Sequence, residues 1–142
     1  GRIKPFLIAA AWTAGVVGLP ALEFGTGLYE SLMLASYRFV YLVPNTLISD
    51  VLDADGDRAA GYETVATNLT IAQLRLAVAT CMILAVLLMT AAVSLGVIKP
   101  IIILDSLGML FYLMFARDAI SNEKRKFLLD CALLWPLVLF LL

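Results

Sequence analysis

Apolar positions in this chain come in long runs, with the polar positions gathered between them. Five runs stand out: Phe6 to about Leu22, about Leu28 to Ile48, Leu76 to about Ile98, Ile101 to about Ala116, and Phe127 to Leu142. A helix rises about 1.5 Å per residue, so about 20 residues cross roughly 30 Å of hydrocarbon. The runs lack the alternation of barrel strands, and a span must satisfy its backbone hydrogen bonds internally, so helices are predicted. The fourth and fifth runs are short for a lone span, but neighbours in a bundle absorb such mismatch. The expected fold is an all-α, multi-pass membrane bundle of about five transmembrane helices, one membrane domain over residues 1–142.

The connections are equally legible. Gly25, Thr26 and Gly27 predict a tight turn, as does the stretch from Gly96 to Pro100. Ser49 to Thr70 reads as a long polar loop, and Arg117 to Lys126 as a polar connection. Pro44 is expected to kink the second helix. No internal repeat or low-complexity tract is present.

Composition agrees with a lipid environment. Of 142 residues, 63% are hydrophobic and 15% charged, and the mean hydropathy is +0.99. Soluble domains run nearer half apolar and a quarter charged. The net charge of −1 gives no reason to expect a nucleic-acid partner. There is no histidine, which removes imidazole ligands and a histidine base. Cys81 and Cys131 lie in apolar runs and read as small buried hydrophobes, not a disulfide framework. No signal peptide is visible, and the opening at Gly1 reads as a chain already in progress.

Charge placement predicts orientation. With five spans, Arg2, Lys4, Arg58, Arg75, Arg117, Lys124, Arg125 and Lys126 share one side of the membrane, and Lys99 holds the other. Positive residues favour the cytoplasm, so the 49–70 segment is expected to be a cytoplasmic Asp-rich loop of a plasma-membrane protein.

That loop carries the chemistry. Asp50, Asp53 and Asp57 are spaced i, i+3 and i+7, so a helix continuing through them would set all three on one face. Stacked carboxylates repel unless a cation sits among them, and a hard divalent ion with oxygen ligands suits them. Mg²⁺ prefers one or two carboxylates, waters and substrate phosphates, which suggests a phosphorylated substrate at the membrane surface. Asp55 and Gly56 predict that the helix loosens there. A merely solvated acidic loop remains open. A calcium loop fits poorly, because its sixth and twelfth places hold Arg58 and Thr64 where Gly and Glu are needed.

The run from Asn45 to Thr64 resembles the second Asp-rich motif of the UbiA superfamily of intramembrane prenyltransferases. The motif reads roughly D-x-x-D-x-x-G-D-x-x-x-G-x-x-T, matched in order by Asp50, Asp53, Gly56, Asp57, Gly61 and Thr64. Lys4 to Trp12 also resembles the start of the family's fifth helix. The resemblance implies the second half of a nine-helix fold. It further implies a Mg²⁺-dependent transfer of a polyprenyl group from its diphosphate to an aromatic or polar-lipid acceptor. Asp50, Asp53 and Asp57 would be the catalytic metal ligands. The family's first Asp-rich motif is absent from these residues, so missing N-terminal helices or a second chain are expected as partners. Glu63 and Ala66 replace a basic residue and a proline common in relatives. Those departures leave a weakened diphosphate contact, a shifted acceptor or loss of activity open.

Three further residues are candidates for substrate binding. Arg38 sits mid-span, where a charge is costly unless it faces a polar cavity. It either lines such a cavity or pairs with Asp105 or Asp130 from neighbouring helices. Asn45 lies just over a turn before Asp50 and would orient a phosphate or cap a helix end. Arg58 offers a guanidinium fork to diphosphate oxygens or anchors the orientation. Tyr37, Phe39 and Tyr41 surround Arg38 and read first as packing aromatics, although aromatic faces also stabilise carbocations. Trp12 and Trp135 read as packing or lipid-facing. A non-enzymatic alternative stands beside the enzyme: a transport or scaffold segment in which Arg38, Asp105 and Asp130 form a polar interior.

Overall fold

Prolines and glycines mark where the helices begin and end. Pro5 sits in the first turn of α1 (Lys4–Thr13), where its missing N–H has no intrahelical partner to lose. A wider π turn over Ala14–Gly18 leads into α2 (Leu19–Phe24), so Lys4–Phe24 is one continuous rod of 21 residues. Gly25 ends it in the left-handed conformation, φ 64°, which a side chain resists. The computed structural model describes residues 3–61, 65–115 and 122–139. The predicted positions of Thr64, Glu63 and Arg117 lie outside the described residues.

The central element is α3 (Leu28–Ala59), 32 residues long and continuous through Pro44. Here the structure differs from the loop expected from Ser49: the acidic segment is helical as far as Ala59. The reason is an apolar stripe that continues beneath the acids. Leu47, Ile48 and Ala54 are buried, and Val51 and Leu52 pack against the same core. Helical hydrogen bonding persists where one face still has a core to cover. The turn follows at Ala60 and Gly61, and Gly61 has φ 77°.

After α4 (Val65–Asn68), α5 (Ile71–Ser94) starts five residues earlier than its apolar run. Thr70 and Gln73 form a reciprocal capping box there, Gln73 N–H to Thr70 Oγ1 at 3.2 Å and Thr70 N–H to Gln73 Oε1 at 2.9 Å. The fourth apolar run winds as a 3₁₀ helix over Pro100–Met109 before α6 (Leu110–Phe115), and α7 (Asn122–Leu139) follows. Gly108 lies within the 3₁₀ stretch, and a Cβ there would collide with the Tyr41 hydroxyl and the Trp135 ring.

Among the described residues the fold is all-helical. α1 and α5 flank α3, and the core joins Tyr37, Tyr41 and Leu47 of α3 to Val78 and Met89 of α5, Tyr112 of α6 and Ala132 of α7. Two helices are long and apolar enough to cross a membrane, Lys4–Phe24 and Ile71–Ser94. They bury only 17% and 22% of their apolar windows. Leu7, Leu19 and Leu22 point outward from one rod, and Leu76, Ile83 and Leu87 from the other. Core helices of a water-soluble domain bury such side chains. The apolar stretch Pro100–Met114 is shorter, and α3, at 32 residues, is long enough but is not among the helices apolar enough to cross.

Candidate functional site

A cavity of about 510 Å³ opens between α1 and α3, with Leu133 of α7 at its edge. The rod side contributes Ile8, Trp12 and Val16, which are apolar. The α3 side contributes Arg38, Tyr41, Leu42, Asn45, Thr46, Ser49 and Asp50, at positions that recur every three or four residues. Arg38 and Asp50 are twelve positions apart, about 18 Å at helical rise. The cavity is thus greasy on one wall and carries polar groups along the other, with a guanidinium at one end and a carboxylate at the other. Of the six residues singled out in the sequence, it brings together Arg38, Asn45 and Asp50.

At the carboxylate end, Asp50 is held by a residue that motif reasoning missed. Lys4 Nζ lies 3.1 Å from Asp50 Oδ1. The Asp50 side chain is only 8% exposed, whereas that of Lys4 is 50% exposed. Asp53 and Asp57 add to the attraction felt by the Lys4 ammonium. The signal was present in the charge pattern, since Lys4 and the acids were assigned to one side of the membrane. Asp53 turns outward and pairs with Lys126 at 3.6 Å, both side chains being 64% exposed. Arg58 is exposed in the last turn of α3, where a cation complements the helix dipole.

The helix therefore does run through Asp50, Asp53 and Asp57, yet their environments differ. Asp50 Oδ2 and Asp57 Oδ2 are buried without a hydrogen-bond partner among the described residues. A buried carboxylate oxygen with no partner is costly. Each of these oxygens is a hard donor of the kind a divalent cation prefers, and the two residues lie seven positions apart, about two turns or roughly 10 Å of helix. Among the described residues no group of three acidic or cysteine side chains is gathered closely enough to hold a metal. Asp50 and Asp57 thus present oxygens of the type that Mg²⁺ takes, without being gathered into one site, and Asp53 between them is engaged elsewhere.

At the guanidinium end Arg38 both lines the cavity and is paired. Its Nη1 lies 3.1 Å from Asp105 Oδ2, and the Tyr37 hydroxyl donates to the same oxygen at 2.8 Å. The guanidinium stacks over the Tyr37 and Tyr41 rings, 5.5 and 5.4 Å from their centroids. The Tyr41 hydroxyl donates to the Ala132 carbonyl of α7 at 2.7 Å. Tyr37 and Tyr41 are both buried, as their reading as packing aromatics predicted. Asp130, the other acid considered for Arg38, is exposed. Asn45 turns its amide toward the Leu129 carbonyl at 3.5 Å, the outer limit of a hydrogen bond, which places α7 beside the cavity. Trp12 is 61% exposed but lines the cavity with part of its surface. Cys81 and Cys131 are free thiols and half-buried, not fully buried as expected. Compared with known protein families, curated proteins and solved structures, the chain matches none.

Proposed function

We propose that this chain is a membrane-embedded part of a Mg²⁺-dependent prenyltransferase of the UbiA type. In this reading it spans a cell membrane several times, with its acidic helix end at the cytoplasmic face. The observation that carries the reading is the cavity joining Asp50, with its partnerless buried oxygen, to a long apolar wall. A prenyl diphosphate has that same division, a polyanionic head and a greasy tail. Asp50 and Asp57, with Asp53 able to turn inward, would hold Mg²⁺ at the head. The ion supplies neutralisation of the charge that develops on the departing diphosphate.

The remaining work falls to side chains of this chain. Ile8, Trp12, Val16 and Leu42 line a path for the tail and exclude water from it. The allylic C–O bond breaks with its electron pair leaving on the diphosphate. The acceptor supplies the new electron pair to the allylic carbon and then loses a proton. Asn45, just over a turn from Asp50, orients the phosphates, Arg38 at the far end of the cavity faces the acceptor, and Arg58 attracts the anionic head to the mouth. The first Asp-rich motif of the full-length protein would complete the cage.

The test is prenyl transfer by the full-length protein in lipid, with Mg²⁺, a labelled prenyl diphosphate and aromatic and polar-lipid acceptors. Asp50→Asn and Asp53→Asn are expected to abolish turnover while the protein still folds. Normal turnover in both would reject the metal role. Orientation is tested by labelling Ala60→Cys from either side of sealed vesicles. Ala60 is preferred to Gly61, whose positive φ resists a side chain. The Arg38–Asp105 pair keeps the scaffold or transport reading alive, because a paired charge needs no substrate. Absence of Mg²⁺-dependent prenyl diphosphate binding would favour it.

A further inference from the structure

Lys4 is not part of the Asp-rich motif, yet its ammonium lies where a cation is needed. It sits 3.1 Å from Asp50 Oδ1 and is attracted by Asp53 and Asp57 as well. The other oxygen of the same carboxylate is buried beside the cavity without a hydrogen-bond partner among the described residues. A carboxylate 92% buried but only half-satisfied is a demanding site. Lys4 is its opposite in mobility: half-exposed, on a four-carbon stem, at the start of its helix.

We propose that Lys4 is the resident counter-cation of Asp50. It occupies the cation position until a divalent ion arrives, yields that position, and then contacts the phosphate oxygens of the bound diphosphate. The logic is charge balance. With the acids uncompensated, repulsion between neighbouring carboxylates would strain the end of α3. With a divalent ion present, an ammonium pressed against the same oxygen would be repelled. Its stem starts in the first turn of α1, and a diphosphate at the cavity mouth offers the nearest new anion. Lysine serves phosphate as a point charge and needs no fixed orientation.

This inference rests on the Mg²⁺-dependent reading above, and its test uses no turnover. The full-length protein in nanodiscs is melted across a Mg²⁺ series, first alone and then with inorganic diphosphate. Lys4→Met removes the charge and keeps the apolar stem. Without diphosphate, its Mg²⁺ midpoint of stabilisation is expected to fall roughly fivefold, the effect of deleting a half-exposed competing cation. With Mg²⁺ saturating, its affinity for diphosphate is expected to weaken by about as much. Lys4→Arg keeps the charge but grips both carboxylate oxygens with its fork, so its Mg²⁺ midpoint is expected to rise. That second variant retains the ion pair and decides the matter if Lys4→Met does not fold. Mg²⁺ midpoints equal to wild type in the variants overturn the proposal, as does unchanged diphosphate affinity in Lys4→Met. If the midpoints shift while the full-length protein transfers no prenyl group, Lys4 keeps its role and the prenyltransferase reading falls. If neither wild type nor variants respond to Mg²⁺, both fall.

Discussion

Two ion pairs mark the two ends of the same cavity, and they are built differently. Arg38–Asp105 and Lys4–Asp50 have equal N···O distances of 3.1 Å. Each also pairs a largely buried aspartate and leaves one carboxylate oxygen partnerless among the described residues. The cations differ. Arg38 is 26% exposed, boxed by two tyrosine rings, and shares its acid with the Tyr37 hydroxyl. Lys4 is 50% exposed and stands at a helix start. A guanidinium held on several sides is a fixed part of the fold, whereas an ammonium held on one side can be exchanged. Distance alone does not separate a structural pair from a replaceable one; the surroundings of the cation do.

The largest expected effect lies at the replaceable end. Asp50→Asn should cut Mg²⁺-dependent turnover of the full-length protein by about 10²–10³-fold, the size of losing one charge-stabilising group. Its melting without Mg²⁺ should be little changed, since losing the ion pair frees only the half-exposed Lys4 ammonium, which water can solvate. A protein that instead fails to fold would make Asp50 a structural acid and erase the contrast with Asp105.

The fixed end should respond in the opposite sense. Arg38→Met strands Asp105 and is expected to cost about 3 kcal/mol of stability, the lower end for breaking a buried pair because Arg38 is partly exposed. Combining it with Asp105→Leu should restore most of that loss. Denaturation in a detergent series measures both, and equal stability of the single and double variants would show that the two residues do not act as a pair.

Next comes the packing that supports the tyrosines. Gly108→Ala drives a methyl group into the Tyr41 hydroxyl and the Trp135 ring. Overpacking of that kind is expected to cost about 1–3 kcal/mol. The same measurement checks it, and a neutral result would mean that the 3₁₀ stretch yields without disturbing Tyr41. The smallest effect belongs to Lys126→Ala. The Lys126–Asp53 pair is 3.6 Å apart and largely exposed, so its loss should cost under about 1 kcal/mol. A larger loss would make Asp53 as constrained as Asp105.

What the sequence determined by itself was local. Long apolar runs, the Gly25–Gly27 and Gly96–Pro100 turns and the lack of alternation made the described residues all-helical. The acids at i, i+3 and i+7 were bound to share a face once the backbone was helical. Two details were legible but overlooked: the Thr70–Gln73 box that starts α5 early, and the stripe from Leu47 to Ala54 that extends α3 through the acids. Others could not be read along the chain. That Arg38 meets Asp105 and not Asp130, that Asp53 turns away to Lys126, and that Lys4 reaches Asp50 all depend on how helices far apart in sequence are rotated against one another. Periodicity says which residues share a face of one helix; only the packing of several faces decides which partner, and how much water, each charge meets.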